Sequence, residues 1–404
     1  MIRFLRSALL LASLLAGPLA AQTWEAVAPL PAPRTAAAVA VLDGRLYVMG
    51  GVGPGGAVLG SALRYDPVAA AWSPIATLRE ARAGATAVVY GGRIVLMGGR
   101  RSDGRAIDDA ETYDAQDDDW ESFDHLETGR NGLGAAVLGS RIFALGGASE
   151  NGALLATCEA YDGTSWYAYP AWTIDPARAE FGLAAAGGAL VLAGGFSPFG
   201  PLASVQRYVP EGGGTALAPL PDARGGLGLA ATDDGSALWA VGGRDAGDAV
   251  RAEVFRYDVG GDAWTAAPSL PQARTSPSVA VLGGALYVAG GRDGFGDPTA
   301  TVWRLSGLTA SDNAPGREPP GLVVSGPNPV RHQTALTVHL GAPTDATVEV
   351  VDVQGRRVAR LHDGLLASGA TRLVWRPAGL AAGVYQVRLQ TPAGVATLAL
   401  TVLP

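Results

Sequence analysis

The amino-acid sequence predicts an all-β protein, a six-bladed β-propeller followed by a small immunoglobulin-like β-sandwich. The first observation is a short apolar phrase ending in Gly-Gly that recurs every 48 residues, at Gly51, Gly99, Gly147, Gly195, Gly243 and Gly291. The second is the composition of the 404 residues, with 57 Gly, 27 Pro and 17% charged residues, which suits short strands and tight turns better than a helical bundle. Third, strand-like segments beyond residue 321 lack the 48-residue period.

The first element, residues 1–21, has the layout of a secretory signal peptide. Arg3 and Arg6 precede an apolar run over residues 8–16, and small residues occupy positions 17–21. Because a bilayer needs roughly 20 apolar residues, this run is too short for a membrane anchor. We expect cleavage near Ala21, and a mature chain that is secreted or held on the outer-membrane surface of a bacterium, without a transmembrane segment.

Charge and cysteine content exclude other classes. Loss of Arg3 and Arg6 changes the formal net charge from −7 to −9, which argues against nucleic acid as a partner. Cys158 is the single cysteine, so no intramolecular disulfide can form.

Each 48-residue unit carries the residues of four strands. An arginine opens it, and an apolar segment, a two-residue turn and the strand ending in Gly-Gly follow. Some 14 residues later most units have a Tyr-Asp pair such as Tyr65-Asp66. Four units then have a tryptophan, at Trp72, Trp120, Trp166 and Trp264.

The apolar runs of these strands, such as residues 94–97, need cover on both faces. A radial stack of four-stranded sheets provides that cover, and glycine permits positive φ and close backbone approach where a strand ends near the crowded axis. The pattern of Arg, apolar strand, Gly-Gly, Tyr-Asp and Trp resembles the kelch repeat over residues 22–306. The resemblance implies a six-bladed kelch propeller. Kelch propellers include scaffold proteins, peptide-binding proteins and enzymes.

Two details of the ring can be predicted. Trp24 precedes Arg34 as Trp72 precedes Arg82, and the sixth unit has no following tryptophan. Residues 23–27 should therefore form the outermost strand of the sixth blade and remove its open edge. The fourth unit has Leu217 near the expected tryptophan position, so we expect its blade to be the least well packed.

Residues 307–321 are rich in Pro, Gly and polar residues, which is typical of a linker. Residues 322–404 contain short alternating strands that suit an immunoglobulin-like sandwich. Pro327-Asn328-Pro329 and the segments 351–358 and 383–385 resemble the C-terminal modules of type IX secretion. That resemblance implies a sorting module that contacts the secretion machinery, although those modules usually end in basic residues and this chain ends in Leu403-Pro404.

Two sets of residues are candidates for ligand binding. The opening arginines should meet near one mouth of the central channel, where guanidinium groups can hold a carboxylate, sulfate or phosphate; alternatively they bond carbonyls or carboxylates between blades. In kelch domains that read acidic peptides, arginines at this position contribute to binding. We call these six the motif arginines: Arg34, Arg82, Arg130, Arg178, Arg224 and Arg274.

The second set directly follows Gly-Gly, where residues vary while the frame repeats. Its candidates are Arg100, Phe196, Arg244 and Arg292.

No catalytic residue, metal site or cofactor is predicted. The propeller has one histidine, His125, and Cys158 stands where other units have core residues. The sequence therefore predicts an exported, monomeric, non-catalytic propeller that binds a protein or glycan ligand. If the candidate arginines bind this ligand, we expect it to be anionic. The alternative is a secreted carbohydrate-active enzyme, an epimerase or oxidase, which carboxylate and arginine groups converging in a deep pocket would favour.

Overall fold

The structure is a computed structural model that describes residues 22–210, 212–308, 321–324, 330–340, 344–352, 356–367, 369–377, 379–391 and 394–403. The chain divides into two compact units near residue 310. The described residues are almost entirely β-strand and loop, with one short 3-10 turn at Pro54–Gly56. The predicted signal peptide, most of the predicted linker and the segment 327–329 lie outside the described residues.

The first unit contains six four-stranded antiparallel sheets. Sheet 1 contains Ala38–Leu42, Arg45–Met49, Ala62–Asp66 and Ala71–Ile75. Sheet 2 contains Thr86–Tyr90, Arg93–Met97, Ala110–Asp114 and Asp119–Phe123. Sheet 3 contains Gly134–Leu138, Arg141–Leu145, Cys158–Tyr161 and Trp166–Ala168. Sheet 4 contains Gly182–Ala186, Ala189–Ala193, Val205–Tyr208 and Gly214–Leu217. Sheet 5 contains Gly228–Ala231, Ala237–Val241, Val254–Asp258 and Ala263–Ala267. Sheet 6 contains Ser278–Leu282, Ala285–Ala289, Val302–Ser306 and Trp24–Val27. A small ribbon pairs Phe196–Ser197 with Gly200–Pro201.

The core of this unit lies between successive sheets. In sheet 2 the second strand buries four consecutive residues, Ile94 to Met97, each at most 1% exposed. Residues alternate between the two faces of a strand, so a continuous buried run means that both faces are covered. Tyr47 and Met49 of sheet 1 pack with Ile94 and Leu96, which places one core layer between sheets 1 and 2.

The sheets form a closed ring around their first strands. Each first strand contacts the first strand of the next sheet, and the one in sheet 6 contacts the one in sheet 1. Six backbone hydrogen bonds of 2.6–3.0 Å join one residue per sheet to the next around the ring. These residues all have positive φ, and we call them the inner ring: Ala36, Gly84, Gly132, Glu180, Gly226 and Ser276.

The N-terminal strand closes the ring as predicted. Trp24–Val27 pairs antiparallel with Val302–Ser306, from Trp24 opposite Leu305 to Val27 opposite Val302. The Trp24 indole N–H donates to the carbonyl of Pro268 at 2.8 Å, just as Trp120 donates to Ala76 at 3.0 Å in sheet 2. The sixth sheet is thus built from both ends of the repeat region.

Sheet 4 differs from the sequence-based expectation. In sheet 2 Trp120 packs on Tyr113, with ring centroids 5.0 Å apart. In sheet 4 Tyr208 meets Trp172, which comes from the connection before the sheet, at 5.5 Å. Trp172 is 0% exposed and packs on Phe143 at 4.3 Å. In sheet 4 Gly214, and not Leu217, lies opposite Tyr208, so the missing aromatic ring is supplied from outside the repeat register.

The Gly-Gly turns bring backbone segments into close contact. Gly50 has φ +64, and a Cβ there would lie 2.4 Å from the carbonyl oxygen of Arg82. Glycine adopts this positive φ at little cost and has no Cβ to clash with the carbonyl. A larger residue would meet both problems. The glycine pair thus fixes each second strand against the next unit.

The second unit has two antiparallel sheets. One contains Gly321–Val324, Thr334–Leu340 and Gly369–Trp375, and the other contains Arg357–Leu366, Thr344–Val351, Gly383–Thr391 and Gly394–Val402. Its core includes Val338, Trp375, Val348 and Val387, which come from both sheets and are at most 2% exposed. Residues of two sheets therefore share one buried layer.

Candidate functional site

A cavity of about 380 Å³ opens within the inner ring. Its wall contains all six inner-ring residues and the three arginines that directly follow Gly-Gly: Arg100, Arg244 and Arg292. We call these three the loop arginines and the space the arginine cavity. A second cavity of about 350 Å³ is lined by the first strands, whose side chains there are small or aliphatic.

Backbone pairing holds each loop arginine in place. Arg100 exchanges two hydrogen bonds with Ala83, of 2.8 and 3.1 Å, and Arg292 does so with Thr275, at 2.8 and 2.9 Å. Ala83 and Thr275 each follow a motif arginine and precede an inner-ring residue. The same pairing therefore anchors the loop arginine beside the ring in each of these sheets.

The loop arginines keep unused donors. Within the described residues, no hydrogen bond or ion pair engages the guanidinium of Arg100. Arg292 donates Nη1–H to the Gly296 carbonyl at 3.1 Å, and Arg244 lies 3.4 Å from the exposed carboxylate of Asp248. Because a guanidinium offers five N–H donors, each retains several for a ligand.

Phe196, the fourth candidate after Gly-Gly, has a supporting position. It is absent from the cavity wall, and the Arg244 guanidinium lies 5.0 Å from its ring centroid. A cation over an aromatic face is attracted by the ring quadrupole. Phe196 therefore contacts the guanidinium of an arginine in the cavity wall.

Glu180 was missed from the sequence and is the acidic residue of the cavity wall. Its side chain is exposed to the solvent of the cavity, and the residues of the cavity wall surround that solvent. Burial raises the pKa of Glu180, and the charges of Arg244, Arg100 and Arg292 oppose this shift. Aligning the units would have revealed it, since the equivalent positions hold Ala36, Gly84, Gly132, Gly226 and Ser276.

The motif arginines do not form the predicted binding site. They are 0–3% exposed and are absent from the wall of the arginine cavity. Arg34, Arg82, Arg130, Arg178 and Arg224 each donate to the carbonyl of the first glycine in their own unit's Gly-Gly pair, at 2.9–3.3 Å.

Acidic side chains complete this arrangement in two sheets. Arg82 pairs with Asp109 at 2.6 Å and Glu111 at 2.9 Å, and Arg130 pairs with Glu159 at 2.7 Å. A buried guanidinium needs partners for its donors, and the contacts of Arg82 and Arg130 provide them. Among the described residues, Nε of Arg34, Arg224 and Arg274 has no hydrogen-bond partner. The alternative raised from the sequence, bonds to carbonyls or carboxylates between blades, gives the right kinds of partner, but these partners belong to the arginine's own unit.

The remaining candidates for chemistry lie elsewhere. Cys158 is 3% exposed in the core, and burial raises the pKa of its thiol well above the usual range. His125 is exposed and lies 3.5 Å from Asp109. Among the described residues no helix has the length and apolar character needed to cross a bilayer.

Comparison with solved structures defines the class of fold. The chain is similar to the protein in a structure titled "Structure of YjhT", with a TM-score of 0.61 and 16% identity. The match covers 71% of this chain and 98% of that one. Together with the closed ring of sheets, this likeness shows a β-propeller fold.

Sequence comparison identifies the repeat. The Kelch motif matches residues 33–79, 81–123 and 273–306. The human Kelch-like protein 34 is 38% identical over 104 residues, which are 25% of this chain and 16% of that protein. The first unit is thus supported as a kelch-repeat β-propeller.

Proposed function

We propose that this protein is an exported, non-catalytic six-bladed kelch propeller that binds a carboxylate-bearing protein or glycan at the arginine cavity. The observation that carries the proposal is the convergence of Arg100, Arg244 and Arg292 on one cavity within the inner ring. Guanidinium groups recognise carboxylates through paired, directional hydrogen bonds.

Local charge supports an anionic ligand. The cavity wall carries three arginines and one glutamate, while the chain as a whole has a formal net charge of −7. A cleft with one sign of charge and low-dielectric walls concentrates ligands of the opposite sign. The excess of arginine in the cavity wall therefore supports an anionic ligand.

Two aromatic side chains support a ligand larger than the cavity. Phe199 and Phe295 each lie three residues beyond the position after Gly-Gly, and they are 95% and 93% exposed. Their loops are ordered by side-chain acceptors, since Phe199 N–H donates to Ser197 Oγ and Phe295 N–H donates to Asp293 Oδ1. Exposed apolar groups beside a polar cavity suit contact with the less polar part of the same ligand.

A peptide and glycan array probed with the purified protein tests this proposal. The test variant changes Arg100, Arg244 and Arg292 to Gln, and the control changes the strand residues Arg141, Arg207 and Arg256 to Gln. Both variants lose the same charge. We expect carboxylate-bearing hits whose affinity falls by about tenfold or more in the test variant alone, as lost charged hydrogen bonds require. Equal binding by both variants would contradict the proposal.

The second candidate function is a carbohydrate-active enzyme on the same scaffold. Glu180 favours it, because a carboxylate with a raised pKa beside arginines is suited to proton transfer. Turnover of an array-positive glycan that disappears in Glu180→Gln while binding persists would establish this candidate. Binding without turnover supports the non-catalytic function.

The second unit completes the proposal as an immunoglobulin-like sorting module. Its two sheets share one core, and the chain divides from the propeller near residue 310. The sequence resemblance to type IX modules supports a role in delivery to the cell surface, and the layout of residues 1–21 supports their removal during export.

A further inference from the structure

We propose that the arginine cavity binds its anion together with one proton, which Glu180 takes up. This inference rests on the proposed anion site and adds its regulation and the protonation state of the bound complex. A proton from solvent joins the Glu180 carboxylate, and the new O–H then donates to an oxygen of the bound carboxylate. No other bond forms or breaks.

Glu180 is fixed inside the cavity by the inner ring. Its backbone N–H donates to the Gly132 carbonyl at 2.8 Å, and its carbonyl accepts from Gly226 N–H at 2.7 Å. The glycines at both neighbouring ring positions leave room for its side chain: a Cβ at Gly132 would lie 3.1 Å from Glu180 Cγ, and one at Gly226 would lie 3.6 Å from Oε2. The inner ring therefore holds Glu180 on the same cavity wall as the loop arginines.

The charged groups around Glu180 are few. The ionisable side chains of the cavity wall are Glu180 itself, Arg100, Arg244 and Arg292. Within the described residues, the Glu180 carboxylate has no hydrogen bond or ion pair at close range. It is thus free to accept a proton without breaking a contact.

A ligand carboxylate makes the cavity a two-carboxylate site. Like charges sharing one site push one of the two pKa values strongly upward, so that a single proton is shared. Enclosure already favours the neutral form of Glu180. Anion binding therefore raises the pKa of Glu180 further, and by linkage lower pH strengthens anion binding.

The sign of the pH dependence follows. Between the pKa values of Glu180 in the free and bound states, affinity rises by up to about tenfold per pH unit as pH falls, the limit for uptake of one proton. Above the bound-state pKa, Glu180 is ionised in both states and the dependence disappears. Below about pH 4 the ligand carboxylate itself protonates and binding weakens.

Calorimetry with glucuronate as the probe and glucose as its neutral counterpart tests the inference. Titrations at several pH values, each in two buffers of different ionisation enthalpy, measure affinity and proton uptake together. For the parent protein we expect uptake approaching one proton and affinity that rises as pH falls. Glucose should show neither.

Two variants and one control identify the group that takes up the proton. Glu180→Gln and Glu180→Ala should bind glucuronate without proton uptake, and at high pH more tightly than the parent. Alanine suits this position because Ala36 occupies the equivalent ring site with φ 51. Glu150→Gln, which removes an exposed acid of a nearby loop, should retain the parent's pH dependence.

The outcomes separate the two proposals. Glucuronate binding with no proton uptake, or with uptake that persists in both Glu180 variants, overturns the role of Glu180 and leaves the anion site standing. No glucuronate binding by the parent at any pH overturns the anion site for sugar carboxylates, and the inference falls with it.

Discussion

Arginine has two roles in this protein, and they differ with the position of the arginine in the repeat, either before the first strand or directly after Gly-Gly. Arg130 is fully buried and donates to Gly146, Thr157 and Glu159, so it holds the turn of its own sheet. Arg100 directly follows Gly-Gly and lines a cavity. A buried guanidinium is stabilising only when its partners are complete, whereas one at a cavity can offer its donors to a ligand.

The first prediction concerns the buried pair. Arg130→Met should lower the free energy of unfolding by about 3–5 kcal/mol, because Glu159 is left as an uncompensated buried charge. Chemical denaturation of the parent and variant measures this change. Arg100→Met serves as the control and should shift stability by less than about 0.5 kcal/mol. Similar losses in both variants would contradict the two roles.

The residue scale also shows where sequence reasoning fails. The repeat identifies the motif arginines but gives the same spacing for packing and for binding, so only burial distinguishes the two. Glu180 was overlooked because it departs from the repeat by a single residue in a column of Gly, Ala and Ser. Its importance depends on the ring that brings it beside arginines from sheets 2, 5 and 6.

Among the secondary-structure elements, the first two strands of each sheet could be predicted from the sequence. Gly-Gly spacing and two-residue turns locate the first two strands of each sheet, since backbone sterics act within a few residues. Trp172 was missed because it contacts Tyr208 across 36 residues and belongs to a connection rather than a strand. Tertiary packing, and not local pattern, decides such contacts.

The second prediction tests this substitution of one aromatic for another. Trp172→Ala should destabilise the protein by about 3–5 kcal/mol, the usual cost of removing a buried tryptophan. Leu217→Ala, at the position where the sequence suggested the missing ring, should cost clearly less because Leu217 is half-buried. Urea denaturation, monitored by the backbone circular dichroism signal and not by tryptophan fluorescence, compares the stability of the two variants. A larger loss for Leu217→Ala would show that the sheet is packed differently.

At the scale of the whole molecule, the ring depends on pairing of distant chain segments. Sheet 6 takes three strands from the sixth unit and its fourth from Trp24–Val27. Leu46 and Val48 of sheet 1 pack with Tyr287 and Ala289 of sheet 6, so the last core layer forms only after the ring closes. Closure also protects the edge of sheet 6 from pairing with other chains.

The third prediction removes the closing strand. A chain starting at residue 28 should unfold at a distinctly lower temperature than one starting at residue 22, because a strand ladder and the packing of Trp24 are both lost. It should also self-associate more through the exposed edge. Calorimetry and sedimentation measure the two effects, and identical melting and monomeric behaviour would exclude this closure.

The fourth prediction concerns the second unit. If it is a sorting module, cells expressing the chain without residues 322–404 should retain a folded propeller in the periplasm, while the complete chain reaches the surface or medium. Independent folding is expected because the repeat region completes its last sheet by Ser306. Cell fractionation decides it. Equal surface delivery of both chains would reassign the unit to adhesion or spacing.

A crystal structure of the protein with glucuronate is the most direct test of the arginine cavity as an anion site. We expect the sugar carboxylate inside the inner ring, within hydrogen-bond distance of Arg100, Arg244 and Arg292 and beside Glu180. We also expect the motif arginines to remain buried, with Arg130 and Arg178 on the carbonyls of Gly146 and Gly194. An empty arginine cavity with the ligand bound elsewhere, or a ligand held by the motif arginines, would contradict this assignment.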